Sequence, residues 1–202
     1  MQGGNLQKTT SGTTSVAELF SRPEVRVHPL VVFEGDNFTV SCSVSSVVAS
    51  RIKHSSLRFR LFRKGALLQH GPHYTATAGS AHDGAYVCQA EAKEIARNST
   101  ELTVNAKILP SRPIISVEGG VIIGRPFQVR CRINRGTRPI TFTLMRGQRS
   151  LGSQEVNALS ALFNVSAIRE RLELAEFSCG AQNDPSRLAH SSPPLTATVI
   201  GE

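Results

Sequence analysis

His82-Asp83-Gly84-Ala85-Tyr86-Val87-Cys88, taken together with Phe38-Thr39-Val40-Ser41-Cys42 upstream, is the stretch that decides the fold. In an antiparallel sandwich one disulfide joins strands of opposing sheets, and a tyrosine two residues before the second cysteine ties the adjoining corner through its hydroxyl. Strand alternation sets Phe38, Val40 and Cys42 on one face, and Tyr86 and Cys88 on the matching face of the later strand. The second half of the chain repeats the scheme with Phe127-x-Val129-x-Cys131 and Phe177-x-Cys179. There a phenylalanine holds the tyrosine position and cannot donate the corner hydrogen bond. The reading is two tandem sandwiches that recognise something and catalyse nothing.

These paired patterns resemble the B and F strands of immunoglobulin domains. The expected fold class is therefore all-β: two tandem immunoglobulin-like β-sandwiches of constant or intermediate type. The 202 residues suit two such domains of ordinary size. We place the first at 21–108, a proline-containing linker at 109–113 and the second at 114–202. Residues 11–23 resemble residues 99–113, a final strand plus linker. Residues 1–20 are accordingly expected to be the residual last strand of an upstream domain, or else a flexible polar tail.

The four cysteines fall as two pairs, Cys42 with Cys88 and Cys131 with Cys179, each spanning a similar stretch within strand-like alternation. Of the three possible connectivities, this one crosses each sandwich locally. Such bridges persist in an oxidising compartment. Three sequons point the same way: Asn37-Phe38-Thr39, Asn98-Ser99-Thr100 and Asn164-Val165-Ser166. Asn37 and Asn164 have the parity of outward residues. Asn98 shares parity with Leu102 and Val104, and a bulge or hairpin before that strand would free it to face solvent. No signal peptide opens the sequence and no apolar run reaches the ~18 residues that span a bilayer. With the oxidising chemistry, this leads us to expect a fragment on the extracellular side of the plasma membrane, held there only through an anchor outside the sequence.

Along the first domain, Leu57, Phe59 and Leu61 alternate inward against Arg58 and Arg60. This is the strand that carries a core tryptophan in antibody domains, and the chain has none. Phe59 is expected to pack on the disulfide in its place. Residues 91–98 read as the hairpin joining the last two strands. Pro110 and Pro113 hold the linker extended, as a spacer. In the second domain 139–145 reads as the equivalent strand, 167–175 as a helical turn, and 192–199 as the last strand.

The formal charge of +8 divides evenly, with eleven basic and seven acidic residues in each of 21–108 and 109–202. Two local concentrations stand out: Arg51, Lys53, Arg58, Arg60, Arg63 and Lys64, and Arg125, Arg130, Arg132, Arg135 and Arg138. From these, Arg58, Arg60, Arg63, Lys64, Arg130 and Arg132 make a candidate patch for an anionic partner such as a glycosaminoglycan or a sialylated glycoprotein. The alternative is ordinary solvated strand faces that keep sheet edges from pairing. Nucleic acid is not expected as a partner, because aromatics able to stack on bases are scarce. His70-Gly71-Pro72-His73 lacks the carboxylate or thiolate that would complete a metal shell, so neither metal nor cofactor is expected. Hydrolase and phosphate-loop signatures are absent. Asp83 fits a corner cap better than a catalytic base, and no catalytic residue is assigned.

Several phrases carry a closer resemblance: Glu18-Leu19-Phe20-Ser21-Arg22-Pro23, Phe33-Glu34-Gly35-Asp36, Gly136-Thr137-Arg138-Pro139-Ile140-Thr141-Phe142-Thr143-Leu144-Met145 and Ser191-Ser192-Pro193-Pro194-Leu195. They are similar to the interior extracellular domains of the platelet endothelial cell adhesion molecule-like and Fc-receptor-like receptors of the immunoglobulin superfamily. The resemblance implies a single-pass leukocyte or endothelial receptor in cell adhesion and immune or vascular signalling. Its partners would be a cell-surface glycoprotein or a second copy of itself. Two other roles fit the same residues: a stalk that spaces a distal binding site, or a soluble, Fc-receptor-like immune receptor.

Overall fold

A computed structural model of the chain describes residues 18–200. The chain splits into two compact units, one around each disulfide. In the first sandwich, β1 (Glu24–His28), β2 (Asn37–Ser43) and β5 (His73–Thr77) form one sheet in the order β1-β2-β5. Facing it are β4 (Ala66–His70), β3 (Arg58–Arg63), β6 (Gly84–Ala92) and β7 (Ile95–Asn98), in the order β4-β3-β6-β7. β8 (Leu102–Val104) pairs further along β6.

Alternation is realised strand by strand. Phe38, Val40 and Cys42 on β2 are buried between outward Asn37, Thr39 and Ser41, and Tyr86, Cys88, Ala90 and Ala92 form the inner row of β6. Cys42 and Cys88 are bonded with their Cα atoms 5.8 Å apart, within the usual disulfide span. Pro23 and Pro29 flank β1, an edge strand, where a missing N–H costs no ladder bond.

The second sandwich repeats the plan. β9 (Ile114–Glu118), β10 (Phe127–Arg132) and β13 (Ser160–Val165) form one sheet. β12 (Arg149–Val156), β11 (Ile140–Arg146), β14 (Phe177–Gln182) and β15 (His190–Ser191) form the other. Its core gathers Val129, Cys131, Ile140, Phe142, Leu144, Phe163, Phe177 and Cys179. Cys131 and Cys179 are bonded with Cα atoms 6.0 Å apart. The expected helical turn is a 3-10 helix at Arg171–Glu176.

Three expectations are revised. Phe59 does not take the tryptophan's place. Leu61, fully buried, stands in register with Cys88, whereas Phe59 is half-buried among Phe20, Ile52, Leu57 and Ala90. Strand parity alone allows either residue, and the pairing register selects the one nearer the cystine. Second, the last strand of the second sandwich begins before residue 192. His190 and Ser191 pair with β14, and beyond them the chain runs extended with Ser192 N–H donating to Cys179 O and Leu195 N–H to Phe177 O. Pro193 and Pro194 supply no N–H, so the ladder lapses while Leu195 stays buried. Apolar alternation there reports burial, not pairing. Third, Phe20, assigned to the tail, is 2% exposed and bridges to Val47. The rest of that tail, residues 1–17, lies outside the described residues.

The tyrosine corner and its degenerate copy are closed differently. Tyr86 is fully buried with its ring 6.3 Å from that of Tyr74. In the second sandwich Phe177 stands edge-on to Phe127, with centroids 6.0 Å apart, and the Arg146 guanidinium lies 5.5 Å from the Phe177 ring centroid. Arg146 pairs with Glu176 at 2.7 Å and also with Glu173. Glu173 accepts the N–H groups of Arg169 and Glu170, which holds its carboxyl below the usual range, helped by Arg146. A cation and two carboxylates thus hold the corner that a phenol would have tied.

Candidate binding faces

Each sandwich presents two outer sheet faces. On the outer face of β3 and β6 in the first sandwich, Arg58 and Arg60 lie two residues apart, registered across from Glu91 and Gln89. Arg60 is bound to both neighbours: its Nη2 meets Glu91 Oε2 at 2.9 Å and its Nη1 donates to Gln89 Oε1 at 3.2 Å. Gln89 in turn donates through Nε2 to Asn98 Oδ1 at 3.0 Å. Arg58 is exposed and has no acidic partner among the described residues.

The remaining residues of the candidate patch lie elsewhere. Arg63 pairs in register with core-facing Tyr86, so strand parity sets it on the opposite face from Arg58 and Arg60. Lys64 begins the β3–β4 turn with positive φ, and its alkyl chain lies against Gly84. Arg130 and Arg132 belong to the other sandwich, on the outer face of β10, where Arg130 is paired with Glu118. That pairing lowers the Glu118 carboxyl through the hydrogen bond and raises the guanidinium. Strand parity therefore divides the first-sandwich cations among different faces, and Arg60 and Arg130 are each matched by a carboxylate.

The three sequon asparagines share one geometry. Asn37, Asn98 and Asn164 are all exposed. In each, the carboxamide oxygen accepts from a neighbouring strand: Thr77 Oγ1 at 3.0 Å for Asn37, Gln89 Nε2 at 3.0 Å for Asn98 and Gln128 Nε2 at 2.9 Å for Asn164. The oxygen is thereby occupied and the amide nitrogen, the atom a glycan would be linked to, is left to solvent.

Asn98 owes its exposure to the residue that follows it. Ser99 is buried; its Oγ accepts the Cys88 N–H at 2.9 Å and donates to Thr100 O at 2.7 Å, which breaks the alternation between β7 and β8. Ser192 does the same in the second sandwich, accepting from Cys179 N–H at 2.9 Å and donating to Pro193 O at 2.7 Å. Sequence reasoning missed this repeated serine. The signal was available: each follows the second cysteine of its pair at a similar distance, 11 and 13 residues on.

Among the described residues no group of three or more His, Cys, Asp or Glu is placed to hold a metal, and no helix is long and apolar enough to cross a membrane. Residues 22–106 match the immunoglobulin domain family. Over 203 aligned positions the chain is 25% identical to platelet endothelial cell adhesion molecule of Sus scrofa and 22% identical to that of Mus musculus. Each alignment covers 99% of this chain and 26% of the relative, so the chain spans about a quarter of the length of the relatives it matches. Among solved structures, the N-terminal eight immunoglobulin domains of Down syndrome cell adhesion molecule match with a TM-score of 0.56 at 16% identity. That match covers 88% of this chain and 28% of the other, and it speaks for the fold alone.

Proposed function

We propose that these immunoglobulin-family domains, akin to those of platelet endothelial cell adhesion molecule, form an extracellular binding module of a single-pass cell-surface receptor in cell–cell adhesion and immune or vascular signalling. The observation that carries the reading is the similarity to adhesion receptors along nearly the whole chain, which takes in both sandwiches. The partner is a cell-surface protein or a second copy of the receptor. Binding is a matter of exposed sheet faces and needs no catalytic group. We take 21–108 and 114–202 as the two modules and Asn37, Asn98 and Asn164 as glycosylated. The free amide nitrogens support that assignment, and a mass shift on deglycosylation at each asparagine tests it.

The stalk reading also has an observation in its favour. Ser111 Oγ accepts the N–H groups of Asn134 and Arg135, so the proline linker is stitched to the unit that follows it. One experiment separates the two. In the parent receptor, residues 21–202 are replaced by an unrelated two-domain spacer of equal length, and adhesion between cells expressing it is measured. Loss of adhesion at normal surface expression supports a binding module; full retention supports the stalk and overturns the module.

A further inference from the structure

Beside the Arg58–Arg60 row, the chain leaves β4 and crosses to the other sheet through His70-Gly71-Pro72. Gly71 N–H donates to Phe59 O and Cys42 N–H donates to Pro72 O, both at 2.8 Å, so the crossing segment is pinned to both sheets. Gly71 takes a φ of +125°, a left-handed backbone that suits glycine. Between this segment and β3 lies a cleft of about 500 Å³, lined by Leu57, Arg58, Phe59, Arg60, His70 and Pro72. That volume is in the range of small-ligand sites, roughly 300–1,000 Å³.

We infer that this cleft binds an acidic sugar bearing a single carboxylate. Three features select that class. The free guanidinium of Arg58 is a planar fork matched to a carboxylate. Its neighbour Arg60 is held by Glu91 and Gln89, so the cleft offers one unmatched permanent cation; this suits one anionic group and not a polysulfated chain. Leu57, Phe59 and Pro72 supply apolar surface for the C–H face of a pyranose ring. An extended peptide is disfavoured, because peptides are held largely by main-chain bonds and the Gly71 N–H and the Pro72 carbonyl are already engaged. The site lies within the first sandwich and does not depend on the adhesion role.

The test uses the full disulfide-bonded chain, produced with its own glycans trimmed to neutral cores. Binding is measured to immobilised sialyllactose polymer, its asialo counterpart, unsulfated hyaluronan oligosaccharide and heparin. Binding of either carboxylate probe, absent for the asialo polymer, supports the site, and which of the two binds assigns a sialic acid or a uronic acid. Arg58→Ala weakens that binding by at least about tenfold, the lower end for losing a charged hydrogen bond. Arg58→Lys fails to restore it, and Arg132→Ala, on the other sandwich, leaves it unchanged. Failure of both carboxylate probes overturns the inference. So does binding insensitive to Arg58→Ala, or a preference for heparin that Arg132→Ala reduces equally, which would mark a general basic surface.

Discussion

Replacing Ser192 by alanine removes one oxygen atom and breaks a defined set of bonds. The Oγ accepts the N–H of Cys179, a residue with no exposed surface, and donates to Pro193 O. In the variant, the buried Cys179 N–H loses this acceptor, while Pro193 O, on an exposed residue, can turn to solvent. The cost is thus chiefly that of one orphaned buried donor, about 1–3 kcal/mol. For a sandwich of this size each kcal/mol lowers Tm by roughly 4–8 °C. Urea unfolding of the second sandwich should show a lower midpoint with an unchanged slope. Amide hydrogen exchange should show lost protection at Cys179 and Leu195, whose N–H groups belong to the same junction. Ser153→Ala is the control: its hydroxyl bonds to Thr143 on the exposed face, and its loss should stay within about 0.5 kcal/mol. If Ser192→Ala proves as silent as Ser153→Ala, the serine junction does not hold this strand and the reasoning fails. Ser99→Ala should reproduce the effect in the first sandwich while leaving the Asn98 sequon intact.

Further expectations concern the cores and corners. Leu61→Ala should cost about 2–5 kcal/mol, as truncation of a fully buried leucine does, and Phe59→Ala, at a half-buried site, should cost less; equal costs in urea unfolding would refute the register argument. Lys93 and Glu94 turn the β6–β7 hairpin with φ of 46° and 65°, so Glu94→Gly should stabilise the first sandwich by roughly 1 kcal/mol, read from its Tm. Glu173 has a lowered carboxyl, so its contribution is present above the ordinary carboxylate value of about 4.3 and is lost as pH falls through its folded value. The stability gap between the protein and Glu173→Gln should therefore close on acidification, and a gap that widens would contradict the assignment.

The two-sandwich fold was legible in the sequence because cystine spacing and period-2 alternation are local signals that survive without a structure. Phe38, Val40 and Cys42 declared their face directly, as did Phe127, Val129 and Cys131. Pairing register was less legible. Nothing local says whether Phe59 or Leu61 meets Cys88, since both point inward and only the partner strand distinguishes them. The junction serines escaped for a related reason: a serine within a polar stretch reads as a loop residue, and its burial becomes visible only once β6 and β14 lie beside it. Basic residues that form one run in sequence are divided by strand parity in space. Arg60 and Arg130 are matched by Glu91 and Glu118, while Arg58 keeps its charge free at the cleft.

The most direct test is peptide mapping under non-reducing conditions on the protein secreted into an oxidising medium. Two linked peptide pairs should appear, one joining Cys42 to Cys88 and the other Cys131 to Cys179. A bond between the halves, or free thiols at all four positions, would contradict two separately clamped sandwiches and the extracellular role built on them.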